Sequence, residues 1–431
     1  EETALLCSQQ KIEELINLSE MTENEPLAAL HILSSIAVTA YISAPNLLIL
    51  VVCKMVNLSL KYGNAIWSSV GYSAYGLILC GGVQDIEQGY EFGCLAANLV
   101  ERFNGEKVKA KVFNIVGGHI KHWKEHLRET LPILIEGYES GVESGDFEMA
   151  GCCAFNICNL SYFSGQELMA LKQKISTYCK AISYLQQEVL LKWIAMVLQA
   201  ILNLLGLTEN PIILIGDVYN EEQELANAIA NNDRNQLHYL YLNKLILNYL
   251  FGEAKEAKKN ALSAEIYLDG VTAMIAAPIF HFYDSLAHLA VFAEVSNLEQ
   301  EVILNRIKVS QEKIQKWADY APMNYLHKFY LVEAERHRVL GEKLEAIEMY
   351  DRAISLAKEN GYLNEEALAH ELAAKFYLGW GKKKIAQVYL TDAYYAYARW
   401  GAKAKVEDLE KRYPQLLAPI KKKKKSIYTD E

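Results

Sequence analysis

A chain of 431 residues that is 52% hydrophobic, with only 8 Pro and 24 Gly, can bury a large core and carries few helix breakers, which excludes disorder for most of its length. The formal net charge is -10, or -15 without the five lysines at 421–425, so the body is acidic and a nucleic-acid partner is not expected. Length alone does not separate three globules from one repeat array, and repeats are therefore sought first.

The start, Glu1-Glu2-Thr3-Ala4-Leu5, has neither an initiator Met nor a basic-then-apolar leader, as expected for a piece of a longer, cytoplasmic protein. Eight cysteines (Cys7, Cys53, Cys80, Cys94, Cys152, Cys153, Cys158 and Cys179) lie in apolar stretches without a CxxC pair or zinc-site spacing. They read as small buried hydrophobes in a reducing compartment. Residues 32–53 hold 22 residues without a charge, long enough to span a bilayer. The turn signal Ser43-Ala44-Pro45-Asn46 at its middle would break a spanning helix where no water reaches the backbone. Two buried antiparallel helices, 26–42 and 46–61, are expected instead, and no transmembrane segment.

Gly71-Tyr72-Ser73-Ala74-Tyr75 falls one residue short of a nucleophile elbow, since Tyr75 replaces the second Gly and no strand precedes it. His119, His122 and His126 stand at i, i+3 and i+7 and would share one helical face, which makes them weak candidates for a metal. The interleaved Lys121, Lys124 and Arg128 make that face cationic and no fourth ligand is evident, so a structural or partner-contact role is preferred and no metal or other cofactor is expected. Ile212-Ile213-Leu214-Ile215, after Pro211, is the one β-like run; alone it builds no sheet and reads as a loop between repeats.

Residues 280–285 follow Pro278 and begin a helix on which His281, Asp284, Ser285 and His288 share a polar face amid aromatics. With Tyr283, and with His238 and Tyr241 from the preceding hairpin, they are the candidate residues for binding a ligand or partner on a concave face. The competing reading is a hydrogen-bond cluster that fixes hairpin register. Tyrosine is abundant, at 27 residues, with a run at Tyr389, Tyr394, Tyr395 and Tyr397 beside Trp400; most are expected to fill the core, and any exposed patch to dock a following domain. The phosphate-loop, dinucleotide, HExxH and kinase catalytic-loop motifs are all absent, so no catalytic residue is assigned and this chain is not expected to be an enzyme.

The clearest duplication pairs Gly341-Glu342-Lys343-Leu344-Glu345-Ala346 with Gly381-Lys382-Lys383-Lys384-Ile385-Ala386 at an offset of 40 residues. Ala334 pairs with Ala374, Tyr350 with Leu390, Ala353 with Ala393, and Asn360-Gly361 with Trp400-Gly401. Small residues let two antiparallel helices approach, a large one fills the gap between hairpins, and glycine makes the turn. This spacing is tetratricopeptide-like, lengthened from the usual repeat of about 34 residues. Similar turns at Ser43, Gly82, Gly118, Gly165, Gly206, Gly252 and Asn297 recur every 36–47 residues. The expected fold is an all-α, right-handed α-solenoid of about nine helical hairpins over residues 1–420, best defined at 325–412, with 421–431 a basic tail or linker.

Four stretches carry a further resemblance: Gly117-Gly118-His119-Ile120-Lys121-His122-Trp123-Lys124-Glu125-His126, Tyr162-Phe163-Ser164-Gly165, Phe280-His281-Phe282-Tyr283-Asp284-Ser285-Leu286-Ala287, and Trp400-Gly401-Ala402-Lys403-Ala404-Lys405-Val406-Glu407-Asp408-Leu409. Through them nearly the whole chain resembles the helical region of large bacterial multi-sensor signal transduction multi-kinases. That resemblance implies a Ser/Thr kinase and a STAND-type ATPase on one side, and GAF and often histidine-kinase modules on the other. It implies a non-catalytic coupling role: the array transmits the binding of a protein partner or small-molecule inducer to the ATPase and kinase domains of the same polypeptide. A small-molecule sensor with a pocket on the concave face is the rival expectation.

Overall fold

A computed structural model describes residues 2–420; the predicted basic tail at 421–431 lies outside the described residues. The fold is all-α. The helices are α1 (Glu2–Cys7), α2 (Asn24–Ser43), α3 (Pro45–Tyr62), α4 (Ser68–Ile78), α5 (Ile86–Arg102), α6 (Glu106–Ile115), α7 (Leu131–Ser144), α8 (Phe147–Phe163), α9 (Leu168–Tyr184) and α10 (Glu188–Leu204). They continue as α11 (Glu221–Ala230), α12 (Arg234–Leu250), α13 (Ala254–Glu265), α14 (Ala276–Ala290), α15 (Asn297–Tyr320), α16 (Pro322–Leu340), α17 (Lys343–Glu359), α18 (Leu363–Gly379), α19 (Lys383–Trp400) and α20 (Lys403–Arg412). Extended pairing among the described residues is limited to two isolated bridges, Glu20 with Asn64 and Ile215 with Asn220. The β-like run at 212–215 is thus part of a loop between α10 and α11, and Asn203 holds it by donating to the Pro211 and Ile213 carbonyls.

The charge-free stretch at 32–53 is broken at Ala44 into α2 and α3, as its turn signal predicts. No helix among the described residues is long and apolar enough to cross a membrane. The eight cysteines form no disulfide; four are buried and three half-buried, but Cys94 is exposed, which corrects the uniform burial expected of them. Cys94 lies on α5, whose apolar stripe passes through Phe92, Leu95, Ala96 and Leu99 and leaves position 94 outside it.

The contacts divide the chain into two compact units. Among the described residues, one comprises 2–160 with 182–191 and 270–275; the other comprises 161–181, 192–269 and 276–420. In the first unit, α2 with α3, α4 with α5, and α6 with α7 pack as neighbouring pairs over a core that includes Leu30, Val52, Met55, Phe92, Leu99 and Val112. Helices α4 and α5 meet where a β-carbon on Gly76 would stand 2.7 Å from the Gly89 carbonyl, a separation that only glycine permits. Two π-turns, Leu79–Val83 and Val116–Ile120, interrupt the helical ladder.

The first of these contains Gly82 and turns through Gln84 in the left-handed region. The second contains Gly118, so this predicted hairpin turn is a buried bulge and not a turn. A β-carbon at Gly117 would strike Leu134, and one at Gly118 would strike Asn156. This glycine pair serves close packing.

In the second unit the repeat is plain. Ala334, Ala346, Ala353, Ala374, Ala386 and Ala393 are all buried at helix contacts, with Tyr350 and Leu390 filling the gaps. Gly341 and Gly381 close α16 and α18 at φ +81° and +78°, the left-handed conformation that ends a helix at little cost only for glycine. The upstream copy at Gly252 behaves alike, with Ala257 and Ala264 buried. Bonds between equivalent helices recur at nearly constant separation: Lys258 to Glu299, Tyr362 to Asn324, His327 to Glu365 and Tyr389 to Asp351 span 38–41 residues. Successive hairpins therefore stack in register, each presenting the same face to the next.

Candidate functional site

Pro278 sits in the first turn of α14, where its missing N–H leaves no helical bond unmade. Spacing of three and four residues then brings His281, Asp284, Ser285 and His288 to one face. Asp284 is 1% exposed. Its carboxylate accepts two bonds from the Arg306 guanidinium of α15, at 2.8 and 2.9 Å, and Arg306 also reaches Glu265 of α13 at 3.0 Å. His288 Nδ1 lies 3.2 Å from the same carboxylate and 2.9 Å from the Asp284 carbonyl.

Burial alone would raise the Asp284 carboxyl, but bonds and charges from His288 and Arg306 outweigh it and hold the group below the usual carboxylate range. His281 Nε2 is 3.3 Å from the Lys313 ammonium and Nδ1 is 3.2 Å from Ser310 Oγ. An ammonium only donates, so Nε2 accepts and the ring proton sits on Nδ1, facing Ser310. Burial, with Lys313 adding to it, pushes the imidazole down to about 3. Ser285 Oγ donates to the His281 carbonyl at 2.8 Å.

The other candidates divide. Tyr283 is buried edge-on to Tyr249, with ring centres 6.1 Å apart. His238 is fully buried on α12; Nδ1 donates to the Ala264 carbonyl at 2.9 Å and the ring meets Phe280 at 5.7 Å. Its Nε2 has no hydrogen-bond partner among the described residues, and burial pushes the imidazole to about 4. Tyr241 stands apart, half-buried and stacked on Tyr267 at 6.1 Å. The structure thus joins His281, Asp284 and Ser285 in one polar seam across α13, α14 and α15, sets His238 beside it against Phe280, and leaves Tyr241 outside.

The histidine trio is not the shared face expected of it. Val116–Ile120 is a π-turn, and Lys121–Trp123 and Leu127–Thr130 are short 3-10 turns, so no continuous helix carries the three rings. His119 is buried edge-on to Tyr41, with ring centres 6.0 Å apart. His122 is buried and donates from Nε2 to the Ala273 carbonyl at 2.9 Å, while His126 uses Nδ1 to cap the Arg128 N–H at 3.1 Å. Burial pushes His119 to about 4 and His122 to about 3. Among the described residues no group of three His, Cys, Asp or Glu side chains is placed to hold a metal. The near-elbow at 71–75 lies inside α4, where Ser73 Oγ donates to the Val70 carbonyl at 3.0 Å.

A set of buried ion pairs lies beyond the residues that the sequence singles out. Glu365 pairs with Lys328 at 2.8 Å and with His327; Glu335 pairs with Arg338 at 2.8 Å and accepts from Tyr350. Glu371 accepts from Lys375, Lys405 and Tyr397 at 2.8, 3.0 and 2.8 Å. A signal was available: Glu371 stands four residues after Ala367 and three before Ala374, on the apolar face of α18. Burial would raise its carboxyl, but the lysines prevail and hold it at about 2.

No known protein-family profile matches the chain. Over 122 residues, 28% of its length, it is 31% identical to a Dictyostelium discoideum protein named hybrid signal transduction histidine kinase G, and the match spans 4% of that protein's length. Among solved structures, a circular tandem repeat protein with novel repeat topology and enhanced subunit contact surfaces aligns over 94% of this chain and 100% of its own, at 12% identity and a TM-score of 0.20. So low a score carries no inference about the fold.

Proposed function

We propose that the chain is a non-catalytic interaction and signal-coupling module of a larger cytoplasmic signalling kinase, a tetratricopeptide-like array that relays the binding of a partner or inducer to attached STAND ATPase and kinase domains. The observation that carries this reading is the 122-residue similarity to a hybrid histidine kinase. The in-register stack of hairpins supports it, because bonds that recur between equivalent helices give an element that moves as a body. The test is made on the natural polypeptide. Its flanking sequence should encode a nucleotide-binding ATPase, and that ATPase should change its turnover when the array is deleted; unchanged turnover, or no ATPase beside the array, rejects the reading.

A small-molecule sensor is kept as a second reading because of the unpartnered His238 Nε2 beside the α14 seam. In a thermal-shift screen against nucleotides, amino acids and sugars, a ligand at about 100 times its Kd adds about 2.7 kcal/mol. Asp284→Ala removes the acceptor that Arg306 and His288 share, and is expected to destabilise the chain by about 3 kcal/mol with no ligand present. The sensor reading therefore rests on whether the ligand-induced increment, and not the melting temperature itself, disappears in the variant.

A further inference from the structure

In the second unit α20 lies against the ends of earlier helices. Gly206 and Gly252 follow α10 and α12 in left-handed turns. A β-carbon at Gly206 would come within 3.5 Å of the Ala404 nitrogen, and one at Gly252 would enter the space of the Arg412 guanidinium. Between these points α20 sends two cations to the end of α12: Lys405 Nζ donates to the Leu250 carbonyl at 2.5 Å, and Arg412 donates to the Phe251 carbonyl. These carbonyls belong to a helix terminus, which has no backbone donors for them and carries the negative end of the helix dipole. Lys405 is fully buried and also pairs with Glu371 and Asp408, each at 3.0 Å.

Helix α20 is also joined to α19, where Tyr394 donates to Glu410 at 2.9 Å, but it buries little of itself. Of its ten residues only Lys405, Val406 and Leu409 are buried, whereas α18 buries Leu368, Leu372, Phe376 and Tyr377 among others. A helix of that length is marginal by itself. The strap is anchored at both ends, by the left-handed turn at Gly401 and by Gln387, which donates to the Leu416 carbonyl at 2.8 Å.

We propose that the α12 terminus and Glu371 form a docking site for a cationic amphipathic helix, occupied in cis by α20 and open to a partner helix that presents lysine and arginine with the spacing of Lys405 and Arg412. The charge complementarity is explicit: two helix-terminal carbonyls and a buried carboxylate face two cations. The inference deepens the interaction-module reading and rests on it. It is tested on this chain alone, without the ATPase, so the two fail separately.

A fluorescent peptide of residues 401–414 is titrated into the wild-type chain and into Lys405→Met/Arg412→Met. The peptide should bind the double variant about tenfold more tightly, because the cis competitor is weakened, and hydrogen exchange of α20 amides should rise by a similar factor while α16 and α17 keep their protection. Equal binding to both chains or to neither, unchanged exchange in α20, or loss of protection across α16, α17 and α20 together would each overturn the proposal.

Discussion

Four buried histidines serve as neutral hydrogen-bonding groups. Burial holds His119 and His238 at about 4 and His122 and His281 at about 3, against an ordinary value near 6.5. A base whose folded pKa is depressed stabilises the fold above its unfolded pKa and loses that contribution as pH falls toward the folded one. Melting temperature is therefore expected to fall from about pH 6.5 downward, before carboxylates titrate. In His122→Gln the amide can still donate to the Ala273 carbonyl without charging, so a melting series from pH 7 to 4 should decline less steeply than wild type. Spacing placed His281, Asp284 and Ser285 on one face correctly. It failed for His119, His122 and His126, because i, i+3, i+7 assumes a regular helix, and the adjacent glycines 117 and 118 allow the π-turn that breaks it.

At the scale of the helix pair, the code is alanine against alanine with a glycine turn, and it was the most legible part of the sequence. The positions 334, 341, 346, 350 and 353 recur 40 residues later, and both sets are buried or left-handed as their chemistry demands. Two substitutions rank the forces. A β-carbon on Gly381 meets nothing within 4 Å, so Gly381→Ala costs only backbone strain, about 1 kcal/mol. Ala386 is fully buried, so Ala386→Leu must push two helices apart, at about 1–3 kcal/mol. Urea unfolding of the two variants should give that order. Upstream the code fades where Gly82 and Gly118 share the turn spacing but lie in π-turns, because spacing counts residues and not the hydrogen bonds they make.

For the whole molecule, two contact units imply that unfolding is not one transition. Glu371 makes the point testable. Glu371→Gln leaves the buried Lys405 with Asp408 as its remaining carboxylate partner, at about 3 kcal/mol, and should lower the midpoint for peptides of α18 and α20 in denaturant-dependent hydrogen exchange, while peptides of α4 to α6 keep theirs. The carboxyl is held at about 2 against an ordinary 4.5. Its stabilisation is complete above pH 4.5 and lost as pH falls toward 2, so the gap between variant and wild type should close over that window. Of this pairing the sequence signals only Glu371, by its place on the apolar face of α18; a lysine at 405 reads as surface until α12 is known to end beside it.

That bond also has a history in time. Hairpin contacts, closed over short loops, can form early and in any order, whereas Lys405 meets Leu250 across 155 residues of chain, a closure whose entropy is recovered only once the intervening hairpins have shortened the path. The amides of α20 should therefore be the last in the second unit to gain protection after a refolding jump, and synthesis from the N-terminus delivers them in the same order.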